Sequence, residues 1–281
     1  MTKWQKHTRT DLARFSDHLK RDRINILCPS GIGDLYWIYS KFAHLKDEAI
    51  FWFPGEENRR AGPLADIFGL TYGYLPGLTT DFVWSQPGND PVDGRRTLVV
   101  HANRHLEAGK HLTDWYPEFD LQYHNVNSGY TPPINSSYIC LFTCGHHYMG
   151  GQLHSTVWAN IVKCLIQSTG KKVVLLGAGS DVPLCREIET TYPQYGSCIG
   201  VYDRPLSEVF GWILGCDTMV SVASGFSIIS TCVGVPTITG YPRHLDKLPG
   251  TFEPLDAICE DMFLDELPDY IFNFKHNDLM L

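Results

Sequence analysis

From Tyr138 to Tyr241, apolar β-branched runs alternate with amphipathic ones, and this alternation limits the possible folds more than any other feature of the chain. "YICLFTC" reads as a strand. "STVWANIVKCLIQSTG" reads as a helix, with Ser155 as its cap and Gly170 as its stop. "KKVVLLGAGS" is a buried strand that runs into a glycine turn. "DVPLCREIETTY" is a helix with Pro183 in its first turn, a position proline tolerates. "GSCIGVY" is a strand, "LSEVFGWILGC" a helix, "DTMVSVAS" a strand, "GFSIISTCVG" a helix and "PTITGY" a final strand. A chain of this kind builds a parallel sheet with helices on both faces.

The first half repeats the theme less regularly. A strand from Ile24 to Cys28 meets the glycine turn Ser30-Gly31-Ile32-Gly33, and an aromatic-rich helical segment follows. "AIFWFP", Ala49 to Pro54, is a second strand, "LADIFGL" a short helix, and "RTLVVHA", Arg96 to Ala102, a third strand. The polar segment His124 to Ser137, rich in Asn, Ser, Gly and Pro, has the composition of a linker. The expected architecture is therefore α/β: a Rossmann-like domain over residues 1–130 and a second over 131–262. A C-terminal helix within 263–281 is expected to pack back on the first domain. Open α/β sheets hold ligands at the carboxyl ends of their strands. Gly31 and Gly33 of the first domain, and Gly177, Gly179 and Gly225 of the second, fall at such ends, which places a cleft between the two sheets.

The totals exclude some classes of function. The chain has 281 residues, 43% of them hydrophobic, enough for a core in each domain. Its net charge of −8 argues against non-specific adhesion to nucleic acid or acidic membrane. No apolar run approaches the ~18 residues that a membrane-spanning helix needs. The N-terminus is polar and charged, unlike a secretory signal. The nine cysteines include no C-x-x-C pair, and Cys28, Cys140, Cys164, Cys216 and Cys232 lie in apolar segments. That pattern fits free thiols and a cytoplasmic location. Cys140, Cys144, His146, His147 and His154 come near one another in sequence but match no zinc spacing, so no metal is expected.

The strongest local signal is "CDTMVSVASGFSIISTCVGVPTITGY", Cys216 to Tyr241. A strand ends in Ser221-Val222-Ala223-Ser224-Gly225, and a helix begins near Phe226 or Ser227. The N–H groups of Ser224, Gly225, Phe226 and Ser227, with small residues that permit close approach, would form an anion site. Ser224 and Ser227 would add hydroxyl donors. The other reading of the same residues is a capped helix packed on its strand.

Three stretches in order, "SGIGDLYWIYSKF", "VVLLGAGSDVPLCREI" and "LSEVFGWILGCDTMVSVASGFSIISTCVGVPTITGY", resemble glycosyltransferase family nine, the ADP-heptose heptosyltransferases. The resemblance runs from about residue 24 to 241. It implies the GT-B fold, with acceptor on the first Rossmann-like domain and nucleotide-sugar on the second. It also implies inversion at the anomeric centre without a metal or other cofactor. Asp34 falls where the family carries its catalytic base, which would take the proton from the attacking acceptor hydroxyl. Its alternative role is a cap on its own helix. The helix start at Ser224 to Ser227 would neutralise the leaving diphosphate.

The chain also departs from the family. Ala223 stands where the family has an aspartate that contacts the donor sugar, and Ile228 where it has a histidine. The basic residue expected after the first strand of the second domain is missing. His146 and His147 stand in that loop, and Arg243 and Lys247 follow the last strand as possible replacements. Trp115 and Tyr116, in the loop-like "TDWYPEFD", are acceptor-side candidates, whereas "LYWIYSKF" and "IFWF" read as core. The expected function is transfer of a sugar from a nucleotide-sugar to a glycan or a modified nucleic-acid base. A sugar-nucleotide epimerase and a non-catalytic sugar-nucleotide-binding module are the alternatives.

Overall fold

The computed structural model describes residues 14–29, 31–55, 61–80, 83, 96–99, 128–143, 153–191, 197–241 and 259–273. The chain divides into two compact units, Met1–Val126 and Asn127–Leu281. The division falls inside the Asn-, Ser-, Gly- and Pro-rich segment.

In the first unit, β1 (Ile24–Leu27), β2 (Ala49–Pro54), β3 (Tyr72–Leu75) and β4 (Thr97–Val99) form a parallel sheet in the order β3-β2-β1-β4. Leu27 lies beside Trp52 on one side and Val99 on the other. The helix α1 (Ile32–Phe42) follows β1, and α2 (Ala61–Phe68) follows β2. Strand alternation sorts the aromatic run of β2 between the two faces. Ile50 and Trp52 join Phe15, Leu19, Leu27, Leu75, Leu78, Val83 and Val99 in one buried cluster. Phe51 and Phe53 point the other way and meet Tyr39 of α1, with ring centroids 5.4 and 6.3 Å apart. Of the aromatic stretches read as core, the described side chains Leu35, Tyr36, Ile38, Tyr39, Phe42 and Ile50 to Phe53 are buried.

Two expectations change here. β3 is an additional strand, so the run beginning at Arg96 supplies the fourth strand, not the third. The glycine turn after β1 is also shorter than expected. The Leu35 N–H already donates to the Gly31 carbonyl at 2.9 Å, so the helix starts at Ile32 and Gly33 is its buried second residue.

Tyr39 Oη is buried with no hydrogen-bond partner among the described residues. Burial, and then the neighbouring Cys28, Tyr74, Tyr72 and Asp66, push its pKa well up, so it stays protonated. A buried hydroxyl without a partner carries its desolvation cost with no return. Tyr39→Phe is therefore expected to leave stability unchanged or raise it by up to about 1 kcal/mol. A loss above about 1 kcal/mol in urea unfolding would show that the hydroxyl is satisfied in solution.

In the second unit, six parallel strands take the order β10-β9-β8-β5-β6-β7. They are β5 (Tyr138–Phe142), β6 (Lys172–Gly177), β7 (Cys198–Tyr202), β8 (Thr218–Val222), β9 (Thr237–Tyr241) and β10 (Cys259–Phe263). The helices are α3 (Ser155–Thr169), α4 (Val182–Thr191), α5 (Leu206–Leu214), α6 (Gly225–Cys232) and α7 (Leu267–Asn273). Alternation along β5 shows that helices cover both faces. Tyr138 Oη and Cys140 Sγ both donate to the Trp212 carbonyl of α5, while Thr143, of opposite parity, meets Cys185 of α4. Trp158, Ile161, Val162 and Leu165 of α3 are fully or almost fully buried.

β10 extends the sheet past "PTITGY", which is therefore not the last strand, and the boundary expected at residue 262 falls inside β10. Ser155 is not the cap of α3. It is the first helical residue, and its hydroxyl donates to Glu187 of α4 at 2.6 Å. The cap is His154, whose Nδ1 accepts from the Thr156 N–H. Gly170 does end the helix, in the left-handed conformation (φ 69°) that glycine adopts without strain. α7 lies on α3 of its own unit, where Cys164 Sγ donates to the Ile271 carbonyl at 3.6 Å.

Candidate functional site

The second sheet reverses its strand order at one point. Counted along the chain from β5, its strands take the doubly wound order 3-2-1-4-5-6, which reverses between β5 and β8. Ligands of such sheets bind outside the carboxyl ends of the two strands that flank the reversal. Phe142 and Ser221 are register partners there. Beyond Phe142 comes the buried Thr143, and beyond Ser221 come Val222, Ala223 and Ser224, the cap of α6.

The start of α6 is built from hydroxyls. Ser224 Oγ accepts from the N–H groups of Phe226 (3.2 Å) and Ser227 (3.4 Å). Ser227 Oγ accepts in turn from the Ser224 N–H at 3.0 Å and donates to the Ser224 carbonyl at 2.8 Å. This reciprocal capping box occupies three of the four amides expected to hold an anion and leaves the Gly225 N–H outside it. The structure thus shows the capped-helix reading, and of the four amides the Gly225 N–H lies outside the capping box.

Around this start, Phe226 sets its ring edge-on to Phe142, with centroids 4.8 Å apart. Ser221 is fully buried, donates to the Val222 carbonyl at 2.6 Å, and lies 3.3 Å from Ser224 Oγ. Ala223 and Ile228, the two departures from the family pattern, are both buried. Neither side chain carries a polar atom.

The glycine turn after β6 is already engaged. The Gly179 N–H donates to Asp203 Oδ1 at 2.8 Å, and Gly179 adopts φ 58°, so it serves the turn. At Gly177 a Cβ would lie 3.0 Å from Cys185 Sγ, so its missing side chain lets α4 approach the sheet. In the first unit, Gly31 is the last residue before α1 and Asp34 is its third residue, one turn inside the helix from the cap position. The Asp34 side chain lies outside what the structure describes, as do His146, His147, Arg243, Trp115 and Tyr116. Cys140 and His154 serve the core and the cap of α3.

Sequence reasoning singles out neither Phe142, beside the start of α6, nor Asp203, at the turn after β6, and it takes Ser221 only as part of a strand end. Phe142 and Ser221 read as ordinary strand residues, and only the register sets them side by side at the reversal. Asp203 has φ 51°, and no local pattern around "VYDRP" announces that its carboxylate holds the Gly179 turn.

No protein-family model matches the chain, and no curated protein matches it by sequence. Solved structures do match in three dimensions. ADP-heptose lipopolysaccharide heptosyltransferase II of E. coli is 13% identical over 91% of this chain and 95% of its own, with a TM-score of 0.57. The dodecameric, iron-containing heptosyltransferase TibC, solved in complex with ADP-D-β-D-heptose, is 14% identical over 94% of this chain and 69% of its own, with a TM-score of 0.51. A Listeria monocytogenes protein described as a UDP-N-acetylglucosamine 2-epimerase is 10% identical over 92% of this chain and 90% of its own, with a TM-score of 0.52. These likenesses establish the fold: an α/β chain of two Rossmann-like units of the GT-B type. No helix among the described residues is long and apolar enough to cross a membrane.

Proposed function

We propose that the protein is a glycosyltransferase that moves a sugar from a nucleotide-sugar donor to an acceptor hydroxyl with inversion. The donor diphosphate lies at the start of α6, and Asp34 is the general base. One observation carries this reading: the reversal of strand order in the second sheet falls on a capped helix start lined by small residues. The three ordered motifs and the heptosyltransferase-like fold support it. Gly225 offers its amide with no side chain in the way. The positive end of α6 offsets the charge that grows on the leaving diphosphate, so the transfer proceeds without a divalent ion. With Ala223 and Ile228 contributing no polar group, the donor sugar differs from heptose or is held from elsewhere. The reaction takes place in the cytoplasm.

Calorimetric titration with ADP and UDP in excess EDTA tests the donor site. Gly225→Val, which adds a side chain beside the amide outside the capping box, is expected to weaken nucleotide binding by about tenfold or more. Ser224→Ala costs about 1 kcal/mol of stability by removing the cap. It also releases the Phe226 and Ser227 amides, so binding shifts by less than about tenfold. A folded Gly225→Val protein that binds as tightly as the parent places the donor elsewhere. Binding that appears only after iron, magnesium or manganese is restored removes the metal-free mechanism.

The fold shared with the epimerase-type protein motivates a second reading, in which the donor sugar is inverted and released. Product analysis separates the two: a glycosylated acceptor marks a transferase, an epimerised sugar an epimerase.

A further inference from the structure

The first unit carries a second polar and aromatic cluster, which the donor chemistry leaves unused. β3 is the outermost strand of its sheet among the described residues, and Tyr72 and Tyr74, two residues apart, project from one face of it. Their rings meet edge to face with centroids 6.0 Å apart. Both phenols close on Gly62 at the start of α2, where a Cβ would lie 2.8 Å from Tyr74 Oη and 3.0 Å from Tyr72 Oη. Asp66 lies one turn further along α2, and burial, followed by the charge of that carboxylate, raises the pKa of the Tyr72 phenol. Asp66 is exposed. Tyr74 is 38% exposed, one of two large hydrophobic side chains left open among the described residues. Tyr74 is in register with Phe53, one residue before β2 ends at Pro54. Tyr74 therefore lies near the carboxyl end of β3, the end at which open α/β sheets take their ligands, while Tyr72 opens the strand and brings its phenol to Gly62 at the start of α2.

A partly exposed tyrosine ring beside a second phenol, which itself neighbours a carboxylate, suits a pyranose. The apolar C–H face of the sugar covers the ring, and its hydroxyls donate to the carboxylate and exchange hydrogen bonds with the phenols. A phosphodiester suits it less, because the Asp66 carboxylate repels it and the chain as a whole carries a charge of −8. We propose that Tyr72, Tyr74 and Asp66 form a carbohydrate subsite in the first unit, the place of the acceptor glycan. Its assignment to the acceptor rests on the transferase function proposed above, whereas its affinity for sugar does not.

Saturation-transfer NMR on the full chain, with the methyl glycosides of glucose, galactose and mannose as probes, tests the subsite. The parent protein is expected to saturate the ring protons of at least one glycoside. Tyr74→Ala is expected to weaken that binding about tenfold or more, Asp66→Asn severalfold, and Tyr74→Phe, which keeps the ring, by less than about threefold. Both Tyr74 and Asp66 are exposed, so circular dichroism is expected to be unchanged. If Tyr74→Ala loses its fold, Asp66→Asn decides. Glycoside binding that these variants leave intact overturns the proposal, as does a parent that binds ADP or UDP but no glycoside, an outcome that leaves the donor site standing. Glycoside binding lost in Tyr74→Ala while no nucleotide binds supports the subsite and removes the donor site instead. A short oligodeoxynucleotide that binds through Tyr74 where no glycoside does also overturns the carbohydrate assignment.

Discussion

Asp34→Asn is expected to lower turnover by about 100-fold or more while nucleotide affinity stays within a few-fold of the parent. The substitution keeps the size of the side chain and removes its ability to take a proton. A loss confined to turnover is the signature of an interaction used only in the transition state. The position of Asp34 sharpens the alternative. The helix begins at Ile32 with Gly31 before it, so Asp34 is the third helical residue and not the cap. A carboxylate there favours the helix through the positive end of the dipole, an effect of about 0.3–1 kcal/mol. A helix-stabilising role therefore predicts a small loss of stability and near-normal turnover. The two measurements on one variant give opposite patterns, and near-parental turnover would return Asp34 to the helix.

The second unit was the more legible half of the chain, and the reason is burial. β5, β6 and β8 are central strands covered on both faces, so their sequences are continuous apolar runs that stand out against the helices between them. The elements that escaped are edge strands. β3, Tyr-Gly-Tyr-Leu, has three partly or fully exposed residues and a glycine at its centre, and it lies between the turn glycines Gly69 and Gly77. β10, Cys-Glu-Asp-Met-Phe, carries two acids in the middle of the strand. An edge strand needs little hydrophobicity and gains from charge that discourages pairing with another chain, so its pattern resembles a loop.

The same logic applies to the candidate site. The small-residue stretch at Ser224 to Ser227 was visible because glycine and serine before an apolar helix have few explanations. That its amides are already engaged was not visible. It depends on the rotamers of two hydroxyls, each satisfied by the other's backbone. Nor does a single strand reveal its neighbour. The pairing of Phe142 with Ser221, far apart in sequence, exists only because β8 crosses over to lie beside β5.

Asn25→Leu is expected to destabilise the first unit by about 3 kcal/mol, although the sequence presents Asn25 only as an interruption in an apolar strand. Asn25 is fully buried on the cluster face of β1. Its Oδ1 accepts from the Lys20 N–H at 2.8 Å and from the Trp52 indole at 3.0 Å. Its Nδ2 donates to the carbonyls of Lys20 at 2.8 Å and of Arg23 and Arg96 at 3.3 Å. One amide thus joins the segment before β1, the indole of β2 and the approach to β4. Leucine keeps the volume and leaves the Lys20 amide and the Trp52 indole N–H without an acceptor in a site closed to water. Hydrogen exchange reads the effect locally. Amides of β1 and β2 are expected to exchange about 100-fold faster, since 1.4 kcal/mol corresponds to tenfold, while those of β6 in the second unit keep their rate. Adding Trp52→Phe removes the stranded indole N–H, so the double variant is expected to lose less than the sum of the two single losses. Strictly additive losses would mean that the Asn25–Trp52 hydrogen bond does not contribute to stability.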